Sequence, residues 1–90
     1  MRPLRRADVT TRDLDSETLI LDRKHEEVHH LNPSASYVWQ CCDGRMTVGE
    51  IAASMALAFD VELEDAERDV ANLIARLAAL HLLESGEALS

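Results

Sequence analysis

Aromatic residues are scarce in this 90-residue chain, which has one tyrosine, one tryptophan and one phenylalanine. Any core must therefore be aliphatic, and a hydrophobic content of 47% supplies enough such side chains for a folded domain rather than a disordered chain. The length suits a single domain. We predict one domain over residues 1–90, with flexible ends at residues 1–7 and 85–90.

Long hydrophobic runs and basic residues are also in short supply. No apolar run approaches the roughly 20 residues that cross a bilayer, and no apolar stretch follows the basic start, so we expect a cytoplasmic protein without a secretory signal. Nine basic residues against seventeen acidic ones give a net charge of −8. Since Lys and Arg supply most of the affinity for phosphates, this balance argues against nucleic-acid and anionic-membrane partners.

Residue types that support catalysis are equally sparse. The two cysteines, Cys41 and Cys42, are adjacent, a position that rarely allows a disulfide, so we expect one buried thiol and one on a helix flank. Three scattered glycines form no phosphate-binding loop, and no serine lies in a nucleophile elbow. The sequence therefore predicts a non-catalytic binding module, without cofactor or metal.

The first third of the chain has the pattern of β-strands. Residues 8–14 and 18–21 are rich in β-branched and aliphatic side chains, and residues 27–31 form a further arm of similar length. The polar residues 22–25 connect the last two arms, which suggests a hairpin.

The remainder predicts three helices. Asn32 and Pro33 are a suitable cap and first residue for a helix over residues 34–42, which Gly44 would end. Thr47 and Glu50 match a capping box before the second helix, and apolar residues at three- and four-residue steps predict a third helix over residues 63–82. We therefore expect an α+β fold, a three-stranded antiparallel sheet followed by three helices, similar to a winged helix-turn-helix.

The motif H-E-x-x-H occurs once, at His25, Glu26 and His29. In metallopeptidases this spacing holds zinc because residues four apart share a helix face. On a strand the two imidazoles stand about 13 Å apart, at about 3.3 Å per residue. Because we predict a turn and a strand here, we interpret the motif as a coincidence, and a metallopeptidase is the least favoured reading.

Several short motifs follow one another from residue 19 to residue 84. They are LILD at 19–22, HLNPSAS at 30–36, VW at 38–39, CDG at 42–44, TVGEIA at 47–52, AERDV at 66–70 and LLE at 82–84. In this order and spacing the chain resembles the PqqD family, also called RiPP recognition elements, whose fold is a three-stranded sheet followed by three helices. The chain departs from relatives by having His29 and His30 where a tyrosine-rich strand is common, and Glu62-Leu63 in place of Asp-Pro.

The resemblance implies a peptide chaperone. Such domains bind the leader of a ribosomally made precursor peptide and present its core to a modifying enzyme, often a radical SAM protein, a cyclase or a protease. An edge strand with unpaired main-chain groups can take up an extended leader by strand addition, or can pair with a second copy of the chain as a homodimer. Which face of residues 27–31 meets the helices stays open.

We place the leader between this strand and the third helix. There Leu73 would form the floor of an apolar pocket, Arg76 would pair with an acidic leader residue and Asp69 with a basic one. Judged alone, Val28 and Leu73 are more often core residues, and Trp39 is most simply a core anchor. The candidate binding residues are Glu27, Val28, His29, His30, Leu31, Asp69, Leu73 and Arg76.

The alternative function is a winged-helix DNA-binding regulator. Such a protein needs a basic recognition helix. The first turns of the third helix instead hold Glu64, Asp65, Glu67 and Asp69 beside Arg68. The sequence therefore favours peptide binding over DNA binding.

Overall fold

The structure, a computed structural model, describes residues 2–84. It has three strands followed by three helices, which confirms the predicted α+β fold. The elements are β1 (Thr10–Leu14), β2 (Glu17–Asp22), β3 (Glu27–Leu31), α1 (Pro33–Cys41), α2 (Val48–Phe59) and α3 (Leu63–Ala79).

The sheet is antiparallel with the strand order β1-β2-β3, so β1 and β3 are its two edges. Burial alternates along β2, where Thr18, Ile20 and Asp22 are buried. Residues directly opposite each other in an antiparallel pair share a face. Because the register pairs Ile20 with His29, and Thr18 with Leu31, the side chains of His29 and Leu31 face the helices. This decides the facing that the sequence leaves open.

Side-chain caps start the first two helices, as predicted. The Asn32 side chain accepts a hydrogen bond of 2.9 Å from the Ala35 N–H, and Pro33 follows as the first helical residue. At α2 the Glu50 N–H donates to Thr47 Oγ1 over 3.1 Å, and the Thr47 N–H donates to Glu50 Oε1 over 2.8 Å. The capping box is therefore confirmed.

The predicted ends of two helices are wrong. Helix α3 ends at Ala79, three residues before the predicted residue 82, because His81 adopts a left-handed conformation with a φ of 60°. The Leu82 N–H then donates to the Leu77 carbonyl and the His81 N–H to the Ala78 carbonyl, both over 3.0 Å, which is a Schellman motif. Helix α1 is capped at Cys42 rather than at Gly44.

The core is aliphatic, as the composition predicts. It joins β2 to all three helices, and Trp39 is its one large aromatic residue, 3% exposed. Cys42 is buried and Cys41 half-buried, which confirms the predicted placing of the thiols. Burial raises the pKa of Cys42 to about 12, so this thiol stays protonated at neutral pH.

The amino-terminal residues differ from the flexible end predicted over residues 1–7. Pro3 is buried, the Arg5 N–H donates to the Cys42 carbonyl over 2.9 Å, and the Glu84 N–H donates to the Leu4 carbonyl over 2.8 Å. These main-chain bonds tie the start of the chain to the end of α1 and to residue 84. The predicted flexible end at residues 85–90 lies outside the described residues.

A buried carboxylate fixes the same segment to the sheet. Asp22 is 1% exposed, and its two oxygens accept hydrogen bonds from Arg6 at 2.9 and 3.3 Å and from His25 Nδ1 at 2.7 Å. Burial by itself raises the pKa of Asp22, but the bonds from Arg6 and His25 outweigh it and hold this pKa well below its usual range. The ionised carboxylate therefore stabilises the folded state.

The low pKa of Asp22 predicts a pH-dependent contribution to stability. A carboxyl whose pKa is depressed by folding stabilises the protein above its unfolded pKa, about 4, and loses that effect as the pH falls through its folded value. We expect Asp22→Asn to lower the urea midpoint of unfolding at pH 7. The difference in midpoint between this variant and the wild type should become smaller towards pH 3. Asp13→Asn on the exposed strand β1 is the control. An equal difference in urea midpoint at pH 7 and pH 3 would contradict this role.

Candidate functional site

The outer edge of β3 lies beside helix α3. Within residues 2–84, β3 pairs only with β2, so no strand occupies its other edge, where outward main-chain groups can pair with an added strand. Leu77, late in α3, and Leu80, the C-cap of α3, lie with Val28 near the start of β3. Asp69 and Asn72 lie near Ser34, just past the end of β3. The helix therefore runs antiparallel to the strand that it accompanies.

Two adjoining cavities lie between the strand and the helix. One has a volume of about 210 Å³, and five of its eight lining residues are aliphatic. The other has a volume of about 330 Å³, and Leu73 is the one aliphatic residue among its five lining residues. Leu73 and Arg76 line both cavities, so we treat them as one depression, the β3–α3 groove. Its lining residues are Val28, His29, His30, Leu31, Ser34, Asp69, Asn72, Leu73, Arg76, Leu77 and Leu80.

The structure brings together the residues that the sequence singled out. All of them line the β3–α3 groove except Glu27, whose Oε1 atom lies 3.4 Å from His29 Nε2. Leu73 is half-buried, and Val28 is 62% exposed, so neither is a fully buried core residue.

Four lining residues were missed from the sequence. Leu77 and Leu80 follow Leu73 and Arg76 at three- and four-residue steps, so helical periodicity alone assigns them to the same face of α3. Asn72 has the same signal, three residues after Asp69 and four before Arg76. Ser34 has none, because its place in the groove depends on how α1 packs beside α3, which local sequence does not specify.

Charged groups are placed unevenly along the groove. Arg76 forms no ion pair among residues 2–84, and neither does Asp69 at the other end. His29 Nε2 is buried and has no hydrogen-bond partner in the described part of the chain, because Glu27 approaches it without hydrogen-bond geometry. His30 points to the other face of the sheet and contacts Glu17. The groove therefore keeps polar groups that a ligand can satisfy.

The two histidines of the H-E-x-x-H motif have separate structural roles. His25 lies in the turn between β2 and β3, where its imidazole bonds to Asp22 and stacks on His81 with the ring centres 5.6 Å apart. His29 lies on strand β3 and lines the groove. They share no helix face, as the sequence predicts, and this placement does not favour a metallopeptidase.

The third helix does not have the character of a DNA-reading helix. Glu64, Asp65, Glu67 and Asp69 are all exposed on its first turns, and Arg68 is bonded to Asp65 over 2.6 Å. Phosphate groups would meet repulsion along this surface. The DNA-binding alternative is therefore not favoured. Among residues 2–84, no helix is long and apolar enough to cross a membrane.

Comparison with known protein families gives one match over most of the chain. The family model described as "Coenzyme PQQ synthesis protein D (PqqD)" matches residues 17–83. This range contains β2, β3 and all three helices, and so both walls of the groove. A search of curated protein sequences finds no significant match.

Three solved structures share the fold. "TbiB1 in Complex with the TbiA(beta) Leader Peptide" is 22% identical, with a TM-score of 0.81 over 91% of this chain and 95% of that one. "Lasso peptide synthetase B1 complexed with the leader peptide" is 24% identical, with a TM-score of 0.78 over 92% and 96%. The PqqD part of Methylobacterium extorquens PqqCD, described as a stand-alone RiPP recognition element, is 26% identical, with a TM-score of 0.73 over 91% and 87%.

Proposed function

Because this chain belongs to the PqqD family, we propose that it is a non-catalytic module that binds the leader segment of a ribosomally synthesised precursor peptide. In this role it presents the rest of the peptide to a modifying enzyme. One observation carries the proposal: a strand edge that no other strand of residues 2–84 occupies lies beside a groove lined in part by leucines.

The proposed binding mode is strand addition at β3. An extended leader that pairs with the outer edge of β3 gains main-chain hydrogen bonds, and alternate side chains point into the groove. Leu31 and Leu73 offer apolar contacts, whereas His29, Asp69 and Arg76 offer polar ones. Glu27, Val28 and His30 complete the strand that the leader would meet.

Two of the structural relatives support leader binding by analogy. Each is described as a complex with a leader peptide, and each shares the fold over more than nine-tenths of this chain. The family relative from Methylobacterium extorquens is described as a functional recognition element without the rest of its natural protein. These descriptions concern those proteins, and we extend leader binding to this chain as a proposal.

The modifying enzyme is a further proposed partner. A recognition module has no use without an enzyme that acts on the captured peptide, and a radical SAM protein, a cyclase and a protease are the candidate classes. We place this system in the cytoplasm. A homodimer through β3 would compete with leader binding, because it would occupy the same strand edge.

Isothermal titration calorimetry tests the proposal. The probes are the separate leader and core halves of each precursor peptide encoded beside the gene. We expect saturable binding of one leader per chain and no heat from the core half. Absence of heat with every leader would contradict the function. Light scattering of the free protein distinguishes this from a dimer that blocks the edge.

A further inference from the structure

The β3–α3 groove has a different charge at each end, and this polarity points to the sequence that it selects. Resting on the proposed function, we infer that the groove selects a leader segment with the order basic–x–aliphatic–x–acidic. The basic side chain binds at Asp69, the aliphatic one at Leu73 and the acidic one between His29 and Arg76. This motif names the ligand chemistry, which strand addition by itself leaves undefined.

The acidic position follows from two nitrogen-bearing side chains that face the same cavity. Arg76 is exposed and has no ion-pair partner within residues 2–84, and the buried His29 Nε2 lacks a hydrogen bond. A carboxylate placed between them accepts from both, while its methylene stem lies on Leu77 and Leu80. Glu27 is half-exposed, and its one ion pair within residues 2–84 is the approach to His29, so its side chain can turn towards solvent when a ligand carboxylate takes its place.

The basic position follows from the other cavity. Asp69 lies there with Asn72 and Ser34, which supply a carboxylate, an amide and a hydroxyl group to one concave surface. A Lys or Arg side chain can donate to all three oxygen atoms. Arg76 lines this cavity too, but it lies seven residues from Asp69 along α3, so an acidic side chain placed beside Asp69 would still meet the nearer carboxylate. This end of the groove therefore favours a cation.

Helix and strand dimensions set the spacing of the motif. Asp69 and Arg76 are seven residues apart, which is about 10.5 Å along a helix at 1.5 Å per residue. Residues i and i+4 of a strand lie on one face about 13 Å apart, and residue i+2 lies between them. Long charged side chains accommodate the small difference. Three alternate leader residues therefore reach Asp69, Leu73 and Arg76 in turn.

The existing sheet sets the direction. All of its pairings are antiparallel, and antiparallel pairs are slightly more stable per residue than parallel ones. A leader antiparallel to β3 enters beside Ser34 and leaves beside Val28, since β3 runs from Glu27 to Leu31. The basic residue therefore precedes the acidic one in the leader sequence.

The test is a selection from a display library of random linear peptides on immobilised protein. The wild type should enrich the motif, Arg76→Glu should replace its acidic residue by a basic one, and Asp69→Lys should replace its basic residue by an acidic one. For a selected peptide we expect charge reversal at Arg76 to weaken binding by on the order of tenfold. His29→Gln should keep the preference for an acidic residue, and His29→Phe should reduce it.

Matched controls separate this inference from the proposed function. Arg68→Glu reverses the charge of another α3 arginine that lies outside the groove lining and should leave the motif unchanged. Two results would refute the charge motif while groove binding stands, provided that the selected peptides lose binding to Leu73→Glu. One is that the selected peptides show no order of charges, and the other is that Arg76→Glu selects the same order as the wild type. If the wild type enriches no peptide, both fail.

Discussion

Replacing Leu73 with Glu is expected to weaken leader binding by about a hundredfold or more, a loss of about 2.8 kcal/mol. Leu73 is the apolar side chain that lines both cavities of the β3–α3 groove. A carboxylate there would be desolvated by any apolar leader residue placed on it, and central contacts of this kind dominate peptide interfaces. Calorimetry of the variant with the leader measures the loss.

The same variant should fold normally, which separates a binding effect from unfolding. Leu73 is half-buried rather than fully buried, and Glu is a good helix former that can pair with Arg76 three residues later. Leu57→Glu introduces the same charge at a residue of α2 that is 87% exposed, and it should bind as the wild type does. Unchanged affinity of Leu73→Glu, with unchanged circular dichroism, would place the leader elsewhere.

Replacing Trp39 with Ala is expected to lower the free energy of unfolding by about 3–5 kcal/mol, a large part of the stability of a small domain. Trp39 is 3% exposed at the centre of the core. Its carbonyl accepts a hydrogen bond of 3.0 Å from the Arg5 guanidinium, which lies 6.0 Å from the indole centre. Loss of the ring removes its packing in the core and its contact with the Arg5 guanidinium, while the bond to the main-chain carbonyl of residue 39 stays.

Urea unfolding followed by circular dichroism measures this effect, since the variant has no other tryptophan to report by fluorescence. Trp39→Phe keeps most of the buried apolar surface and should be destabilised less. Phe59→Ala removes an aromatic ring that is 38% exposed and serves as the surface control. Equal midpoints for Trp39→Ala and Phe59→Ala would contradict the place of Trp39 as the core anchor.

The order of the elements could be predicted from the sequence because their signals are local. The Asn32-Pro33 start of α1 and the Thr47–Glu50 capping box act over three residues. The acidic charges that do not favour DNA binding are likewise read directly from the sequence. Both walls of the groove, β3 and α3, could be assigned from the sequence because the family motifs fix the order of these two elements. Its depth and its remaining lining residues were not predictable.

The features that sequence reasoning missed depend on contacts between distant residues. The facing of β3 is one, because it follows from that of β2: Leu19 and Leu21 compete with Ile20 for the core, and burying Ile20 also buries Asp22. That burial is acceptable because Arg6, sixteen residues earlier, supplies the counter-charge. The end of α3 is another. His81 adopts a left-handed conformation that glycine usually occupies, and it interrupts an apolar pattern that continues to Leu82.

Hydrogen exchange of the backbone amides, resolved residue by residue by NMR, tests strand addition most directly. The sheet has two edges, so the exposed strand β1 is an internal control for β3. With saturating leader peptide we expect slower exchange at alternate amides of residues 27–31, where N–H groups point away from β2, and unchanged exchange in β1. Protection confined to β1, or a saturated complex without added protection in β3, would show that the leader does not join the sheet at this edge.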